Sequence, residues 1–468
     1  PQTPNPKPQT PKDFDREGSN PNFFKKTKKS NIYIRSIQKI MNNIGQLIPK
    51  NLQEMLGTHP FLRLLKFSYL NEFRKRLKMI RRVSAFVLVL LILGYFIRKS
   101  RQRSIIRLFQ TNSRNSEILS KLEPTLNRYA PSFYLPFAQI MIMSQVFKNP
   151  SCPPFTKEIL RFDDGTELLI EWSVKGEAKE DAPIVAFILG TAGLSSDSYS
   201  KALVKAVTDK GWRLVVVNRI GFGYQNVRTR RFLGKNEHEN FNIAISKIHQ
   251  RYPQAPMFLV GVSNGANQAA LYLGHHPNTP VRAAVTIGNP YNLCRVSYFM
   301  PKFYSWILAH GMKKLYRFHM KNPLFMNAIA EHYNDPNVVY NKFLSGKTTA
   351  WKIEKNLSSK LSMAESIFDY YNCMSSESVL DRIKVPLLAI NSLDDPVCFK
   401  HAIPVEKIIN NENIIALLFE RGGHVEFFHG WRSEWFGFDL AVQYFDLLLK
   451  KDGEKNESVG AEILSPPA

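Results

Sequence analysis

One serine in this sequence has the neighbours that nucleophilic chemistry needs. Ser263 stands in Gly261-Val-Ser-Asn-Gly265, a match to G-x-S-x-G, between an apolar run and a stretch of helical composition. A strand, a tight turn and a helix in this order are typical of a nucleophile elbow, whose turn needs small residues on both sides of the serine. The alternative is a chance pentapeptide in a Gly/Ser loop.

A serine hydroxyl becomes a strong nucleophile when a base takes its proton and a carboxylate orients that base. Downstream, one apolar run leads into Ser392-Leu-Asp-Asp-Pro396, and the next leads into Glu420-Arg-Gly-Gly-His424. Both loops follow predicted strands, at the edge where α/β sheets place their chemistry. The order Ser263, then Asp394 or Asp395, then His424 therefore predicts a serine-hydrolase site.

The elements that would position these residues alternate along residues 155–450. The alternation predicts an α/β fold, with a mostly parallel sheet between helices and a first hairpin that turns at Asp164-Gly165. Predicted strands are Pro183–Leu189, Arg213–Asn218, Met257–Val260, Ala283–Ile287, Pro386–Asn391 and Ile414–Phe419. Predicted helices are Asp197–Lys210, His238–Tyr252, Ala266–His275 and Phe436–Leu449.

Residues 291–383 interrupt this alternation and are rich in Met and aromatic residues. An insertion at this point predicts a helical cap over the serine, and an apolar cap suits an acyl chain. Most of the aromatic side chains should fill the cap's own core. After the domain, residues 451–468 are charged and predicted to be disordered.

Positive charge is concentrated near the start of the chain. Residues 1–110 hold 23 Lys and Arg against 5 Asp and Glu, in a chain whose net charge is +24. Residues 1–60 form a basic, proline-rich arm that cannot bury a core, and the arm should meet an anionic membrane or a membrane protein complex. No nucleic-acid motif accompanies the charge, so nucleic acid is not an expected partner.

Residues 79–97 form the most apolar stretch of the chain. The uncharged run Val83–Ile97 has 15 residues, fewer than the roughly 20 that span a bilayer, but Met79-Ile80 extends it. Arginines on both sides can reach the lipid headgroups with their long side chains. The stretch therefore predicts a single-pass membrane helix, whose flanking charges give no orientation and do not distinguish endoplasmic reticulum from mitochondrial inner membrane.

Two further segments flank this helix. Residues 61–78 are apolar and basic together, which predicts a helix that either lies on a membrane surface or docks on the main domain. Residues 111–154 look helical and are predicted to connect the membrane helix, within residues 61–110, to the catalytic body. Pro1 is compatible with a trimmed or processed leader, for which the sequence itself shows no signal.

No cofactor is expected from the sequence. The four cysteines lie far apart, without C-x-x-C pairs or Cys/His ligand spacing. This pattern argues against a zinc site and against a disulfide framework. A serine hydrolase requires no metal or organic cofactor.

Residues 155–450 resemble the α/β-hydrolase fold and, within it, the YheT-like branch, which includes membrane-anchored lipid esterases of the monoacylglycerol lipase type. The supporting motifs are Gly190-Thr-Ala-Gly193 with Tyr199, Gly261-Val-Ser-Asn-Gly265, Ser366-Ile-Phe-Asp-Tyr-Tyr371 with Ser375, Asn391-Ser-Leu-Asp-Asp-Pro396 and Gly422-Gly-His424. The resemblance implies that Ser263 is the nucleophile, His424 the base and Asp395 the orienting acid, with Asp394 as fallback. It also implies an oxyanion hole formed by the backbone N–H groups of Thr191 and Asn264.

Three positions depart from the family pattern. Leu189-Gly190 stands where many members have His-Gly or Pro-Gly, and the arginine is displaced within Asn218-Arg-Ile-Gly221. The acid usual in the helix before the elbow is replaced around Asn240. The last two departures suggest a lost ion pair, because an unpaired buried acid would be costly.

Two functions follow from these features. The first is a membrane-anchored serine hydrolase that cleaves carboxylic esters of acyl lipids, either acylglycerols or phospholipids, through an acyl-enzyme. The second is a hydrolase-fold accessory or structural subunit of a membrane protein complex, with little or no catalytic role. The basic arm and the altered pocket residues favour the second, whereas the order of Ser, Asp and His favours the first.

Overall fold

The structure is a computed structural model, and it describes residues 60–100, 104–135, 137–232 and 234–464. The predicted basic arm, residues 1–60, lies outside the described residues except for Pro60. The described residues divide into two units, one ending at Leu91 and the other beginning at Ile92.

A single helix, α1 (Pro60–Ser100), contains the predicted membrane segment. Within α1, Lys75–Phe96 has 22 residues and a mean hydropathy of 1.9, so it is long and apolar enough to cross a membrane. Every side chain from Lys75 to Tyr95 is exposed. An exposed apolar surface of this length is typical of a helix that contacts lipid or another protein.

The second unit is built on a nine-stranded sheet. Its strands are β1 (Ile105–Phe109), β2 (Thr156–Arg161), β3 (Glu167–Ser173), β4 (Ile184–Ile188), β5 (Arg213–Val217), β6 (Met257–Val262), β7 (Val281–Ile287), β8 (Leu387–Ser392) and β9 (Ile414–Phe419). Their order in the sheet is β1-β9-β8-β7-β6-β4-β5-β3-β2. Strands β5-β4-β6-β7-β8-β9 are parallel, and β1, β2 and β3 join antiparallel at the two edges. Every strand predicted from the sequence is present.

Helices cover both faces of this sheet. They are α2 (Ser113–Leu126), α3 (Ala138–Ser144), α4 (Ser198–Thr208), α5 (Glu237–Arg251), α6 (Asn264–His275), and, after the cap, α14 (Val405–Ile409) and α15 (Phe436–Leu464). Along β6, Met257 and Leu259 enter one hydrophobic cluster, whereas Phe258 and Val260 enter the other. Successive strand residues point to opposite faces, so β6 is buried on both sides.

The body extends back through the predicted connector, residues 111–154, and into the region that was predicted to hold the membrane helix, residues 61–110. Ile105–Phe109 forms β1 and pairs antiparallel with β9. The apolar face of α2, with Ile118, Leu122 and Leu126, packs in the same cluster as Leu417 of β9. The body therefore begins near residue 105 and not near 155. The predicted start of the body near residue 155 was wrong because periodicity cannot separate a five-residue, mostly apolar strand from part of a helix.

The predicted cap lies between β7 and β8. It contains α7 (Leu293–Phe299), α8 (Lys302–His319), α9 (Pro323–Ala330), α10 (Pro336–Val339), α11 (Ala350–Ile353), α12 (Ser359–Leu361) and α13 (Ile367–Cys373). Tyr304 and Tyr316 are buried in it, as expected. Four further aromatic residues do not fill its core, because 46–82% of their surface is exposed: Tyr298, Phe299, Phe303 and Trp306.

The last helix corrects the prediction of a disordered tail. α15 continues from Phe436 to Leu464, into the charged segment after Lys451. This segment is rich in Lys and Glu, which have high helix propensity, and extending an existing helix needs no new nucleation.

Candidate active site

Ser263 lies on a strained turn between β6 and α6. Its backbone has φ 55° and ψ −126°, a region that residues other than glycine rarely adopt. A Cβ at Gly261 would lie 2.4 Å from the carbonyl oxygen of Gly265, and a Cβ at Gly265 would lie 2.1 Å from that of Ile188. The two glycines are therefore needed for the turn to close and to pack against β4.

Ser263, His424 and Asp395 form a continuous line of hydrogen bonds. The Nε2 of His424 is 2.7 Å from the Oγ of Ser263, and its Nδ1 is 2.8 Å from the Oδ2 of Asp395. The fold thus brings together three residues that lie 161 and 29 positions apart in the sequence. In this geometry the imidazole can take the serine proton while the carboxylate holds the opposite side of the ring.

The two neighbouring acids have different contacts. The Oδ1 of Asp395 accepts hydrogen bonds from the backbone N–H of Val397 at 2.7 Å and of Cys398 at 2.9 Å. The Oδ1 of Asp394 accepts from the backbone N–H of Gly422 at 2.9 Å and of Gly423 at 3.2 Å. Asp395 therefore contacts the imidazole, whereas Asp394 ties its own loop to the loop that carries His424.

Two residues that the sequence did not single out also hold the His424 loop. The Oε2 of Glu426 accepts the backbone N–H of His424 at 2.8 Å and that of Val425 at 3.1 Å. Gly288, at the end of β7, leaves room for the imidazole, because a Cβ there would lie 3.2 Å from its Nδ1 and 2.6 Å from the His424 carbonyl oxygen. Gly288 could have been identified from the sequence, because a glycine directly after a predicted strand indicates a turn or a close approach of another part of the chain.

The charges near His424 favour the protonated imidazole. Burial by itself opposes the charge, but the Asp395 carboxylate and the neighbouring Cys398 together outweigh it and hold the pKa of His424 well above its ordinary value. Burial raises the pKa of the neighbouring Cys398 thiol to about 11. Near neutral pH this thiol is uncharged and donates to the Gly288 carbonyl oxygen at 3.2 Å, so it lacks the thiolate character of a reactive cysteine.

The predicted oxyanion donors lie beside the serine. Thr191 and Asn264 line the same pocket as Ser263, and Asn264 is the first residue of α6. A Cβ at Gly190 would lie 3.2 Å from the Cβ of Ser263, so the loop that carries Thr191 approaches the serine closely. A Cβ at Gly193 would lie 2.1 Å from the hydroxyl of Tyr199, a close approach that explains why these two motif residues occur together.

Two sets of side chains in the described part of the chain could hold a metal. The donor atoms of Asp395, Cys398 and His424 lie within 4.8 Å of one another, as do those of a second set, His238, Glu239 and His276. In the first set, His424 and Asp395 already bond to each other. In the second, the Nδ1 of His238 and the Nε2 of His276 share a hydrogen bond of 3.1 Å.

The serine opens onto a pocket between the sheet and the cap, with about 950 Å³ of empty space that includes open solvent at its mouth. Much of its wall is apolar and comes from the cap, chiefly Leu293, Val296, Met300, Leu308, Met312 and Leu315. An acyl chain could be buried along this wall.

A polar cluster forms another part of the wall and consists of Arg219, Tyr316, Glu354, Tyr370 and Tyr371. The hydroxyl of Tyr371 donates to the Oε2 of Glu354 at 2.7 Å. Burial raises the pKa of Glu354 to about 7. Sequence reasoning found Tyr370 and Tyr371 only as motif residues, and it missed Glu354.

The ion pair suggested to be lost is present. The Nη2 of Arg219 is 2.6 Å from the Oε1 of Glu237, and its Nε bonds to the other carboxylate oxygen. Only 8% and 4% of these two side chains is exposed. The suggestion was wrong because the acid was sought around Asn240, which instead accepts a hydrogen bond from Arg231 at 3.0 Å.

Comparison with known sequences identifies the class of protein. Residues 183–428 match the alpha/beta hydrolase fold family. The match spans more than half of the chain, so this chain belongs to that family. The predicted α/β-hydrolase fold is thereby confirmed, and the narrower YheT-like branch stays a prediction.

Three relatives illustrate the range of the family around this chain. Protein abhd-3.2 of Caenorhabditis elegans is 27% identical over 66% of this chain and 82% of its own length. Phospholipase ABHD3 of Bos taurus is 28% identical over 59% of this chain and 67% of its own length. The monoacylglycerol lipase of Saccharomyces cerevisiae is 25% identical over 53% of this chain and 55% of its own length.

Proposed function

We propose that this protein is a membrane-anchored serine hydrolase that cleaves carboxylic esters of acyl lipids through an acyl-enzyme. The observation that carries the proposal is the line of hydrogen bonds from Ser263 through His424 to Asp395, at the wall of a largely apolar pocket. The names of the relatives, a phospholipase and a monoacylglycerol lipase, support lipid esters as the substrate class.

In the proposed reaction, the Oγ of Ser263 attacks the ester carbonyl carbon while the Nε2 of His424 takes the hydroxyl proton. Asp395 accepts the Nδ1–H and stabilises the imidazolium. The backbone N–H groups of Thr191 and Asn264 would stabilise the tetrahedral oxyanion, each by about 3 kcal/mol. His424 then gives its proton to the leaving alcohol. Water, deprotonated by His424, releases the fatty acid and restores the serine.

The surface of the protein supports a lipid substrate and a membrane location. Helix α1 offers a 22-residue apolar segment, which we propose as a single-pass anchor. The exposed cap aromatics, among them Tyr298 and Trp306, add apolar surface in the catalytic body. Whether the basic arm, residues 1–60, contacts a membrane or a protein complex stays a prediction.

The structural-subunit alternative loses one of its supports. An altered pocket was part of the reason to consider an inactive protein, and the suspected loss of an ion pair was part of that alteration. Arg219 and Glu237 are paired and buried, so the charge at this wall of the pocket is compensated. We therefore favour an active hydrolase.

A fluorophosphonate probe tests the nucleophile directly. The full chain in detergent micelles should be labelled, whereas Ser263→Ala should not be. Ser345→Ala, at an exposed serine of the cap, is the matched control and should label like the unaltered protein. Equal labelling of the Ser263→Ala protein would defeat the proposal.

Membrane anchoring is tested separately in cells. The unaltered chain should stay in the membrane pellet after an alkaline carbonate wash. Leu90→Arg combined with Leu91→Arg places two charges mid-segment, each opposing insertion by about 3 kcal/mol. Release of this variant, but not of an exposed-surface control such as Lys342→Arg, would support the anchor. Release of the unaltered chain would contradict it.

A further inference from the structure

The geometry points to a binding site for a neutral, hydroxyl-bearing part of the lipid substrate in the polar cluster of the pocket wall. The inference rests on the proposed function and deepens it, because it names the kind of lipid that the pocket accepts. The relatives carry names for two different substrates, a phospholipid and a monoacylglycerol, and the polar cluster distinguishes between them.

The polar cluster has hydrogen-bonding groups that the protein does not use. Two nitrogens of Arg219 bond to Glu237, and among the described residues the third, Nη1, has no hydrogen-bond partner. In the same part of the chain, the hydroxyl of Tyr370 also lacks one, although only 7% of this residue is exposed. Both residues line the pocket, so a ligand there could satisfy them.

An acceptor lies close to these donors. Glu354 accepts the Tyr371 hydroxyl at its Oε2, which leaves Oε1 with no hydrogen-bond partner among the residues that the structure describes. Arg219, Tyr370 and Glu354 are near enough to shift one another's pKa values. A hydroxyl group can donate to Glu354 and accept from Arg219 or Tyr370 at the same time.

The charges of the cluster argue against ionic ligands. Glu237 already neutralises Arg219, so a phosphate would gain little from the arginine, and wherever Glu354 is ionised it would also repel the phosphate. An ammonium group would face the Arg219 guanidinium. A neutral hydroxylated group avoids both costs, which favours an acylglycerol over a phospholipid.

The hydroxyl could come from either end of the substrate. A glycerol ester carries hydroxyls on the alcohol, whereas a hydroxylated fatty acid carries one on the acyl chain. Four lauroyl substrates separate these sources: monolauroylglycerol, ethyl ω-hydroxylaurate, ethyl laurate, which has no free hydroxyl, and lauroyl lysophosphatidylcholine, which is charged.

The test compares kcat/KM ratios in the full chain and in two variants, Tyr370→Phe and Glu354→Gln. Each variant should lower the ratio of a hydroxylated substrate to ethyl laurate about tenfold, as expected for one hydrogen bond in a buried charged setting. Tyr340→Phe, at an exposed cap tyrosine, is the matched control and should leave the ratio unchanged.

If the variants lower the ratio for monolauroylglycerol, the site binds the alcohol part of the ester. If they lower the ratio for ethyl ω-hydroxylaurate, the site binds the acyl chain. Unchanged ratios for both substrates would overturn the inference, as would faster cleavage of lysophosphatidylcholine than of monolauroylglycerol.

A binding measurement separates this inference from the proposed chemistry. A monododecylglycerol ether has the hydroxyls but no ester, so its dissociation constant can be measured in Ser263→Ala. Adding Tyr370→Phe should weaken binding about tenfold. If the protein cleaves no ester but this difference appears, the catalytic proposal fails and the binding site stands. If esters are cleaved and the difference is absent, the binding site fails alone.

Discussion

Two groups of polar side chains meet one pocket, the first through Ser263 alone, and they differ in how many of their hydrogen bonds the protein itself satisfies. In the first, Asp395 holds His424 with one oxygen and two backbone N–H groups with the other. In the second, Arg219 is held by Glu237, but its remaining nitrogen and the Tyr370 hydroxyl have no hydrogen-bond partner among the described residues. The first group is complete before substrate arrives, as preorganised catalysis requires. The second leaves donors open to the pocket, as recognition requires.

The largest effect is expected when each of the two neighbouring acids is replaced in turn by asparagine. Asp395→Asn should lower kcat by about 10⁴-fold, because an amide cannot hold the imidazole in the correct tautomer. Asp394→Asn should lower it only about tenfold, because an amide oxygen can still accept the two glycine N–H groups. Steady-state hydrolysis of monolauroylglycerol measures both. Equal losses would mean that the acids share one role.

Removing the partner of Arg219 tests the second group. Glu237→Gln should destabilise the fold by about 3–5 kcal/mol, because a buried guanidinium would lose its compensating charge. Urea unfolding of the full chain in detergent measures the change. Glu331→Gln breaks the exposed pair with Arg230 and should have little effect. A similar result for both variants would show that burial does not matter at Arg219.

The pH dependence of catalysis tests the first group again. Burial lowers the pKa of His424, but Asp395 and Cys398 together hold it above its ordinary value, so the imidazole stays protonated to higher pH and cannot act as a base there. The kcat/KM should therefore rise about tenfold per pH unit and level off only in the alkaline range. In Asp395→Asn the plateau should move to lower pH, and in Asp394→Asn it should not. A plateau already below about pH 7 in the unaltered protein would contradict this reading.

The smallest expected effect concerns Glu354. Its pKa is raised to about 7 by burial, so between its unfolded value and pH 7 the folded state binds more protons than the unfolded state. The free energy of unfolding should fall across this range as the pH rises. Glu354→Gln removes that loss. The free energy of unfolding of the variant relative to that of the unaltered protein should therefore be higher at pH 8 than at pH 5, by on the order of 2 kcal/mol. If the two proteins differ in free energy of unfolding by the same amount at pH 5 and at pH 8, the raised pKa of Glu354 is contradicted.

Much of the site could be read from the sequence because its signals are local. Ser263 has a glycine on each side at fixed spacing, and His424 and the two acids each follow an apolar run. The order of these residues along the chain then limits the fold. Choosing between Asp394 and Asp395 required the family resemblance, because both acids stand in the same loop.

The rest depends on contacts between distant residues. Glu237 lies 18 positions from Arg219, and nothing in its own segment indicates that it is the partner. Glu354 stands in a helical stretch with the composition of a solvent-exposed face, and only the folded cap turns it toward the pocket. β1 was missed because four apolar residues and one arginine in a row of five fit a helix as well as a strand.

The pairing of β1 with β9 decides where the chain can be cut. β9 runs directly into the loop that carries His424, and β1 covers its outer edge with a ladder from Ile105↔Phe419 to Phe109↔Ile415. A soluble fragment that starts at residue 155 would expose that ladder as an open strand edge, which invites aggregation. A preparation intended for crystals should remove α1 but begin no later than Ser104, whose carbonyl already accepts the backbone N–H of Glu420.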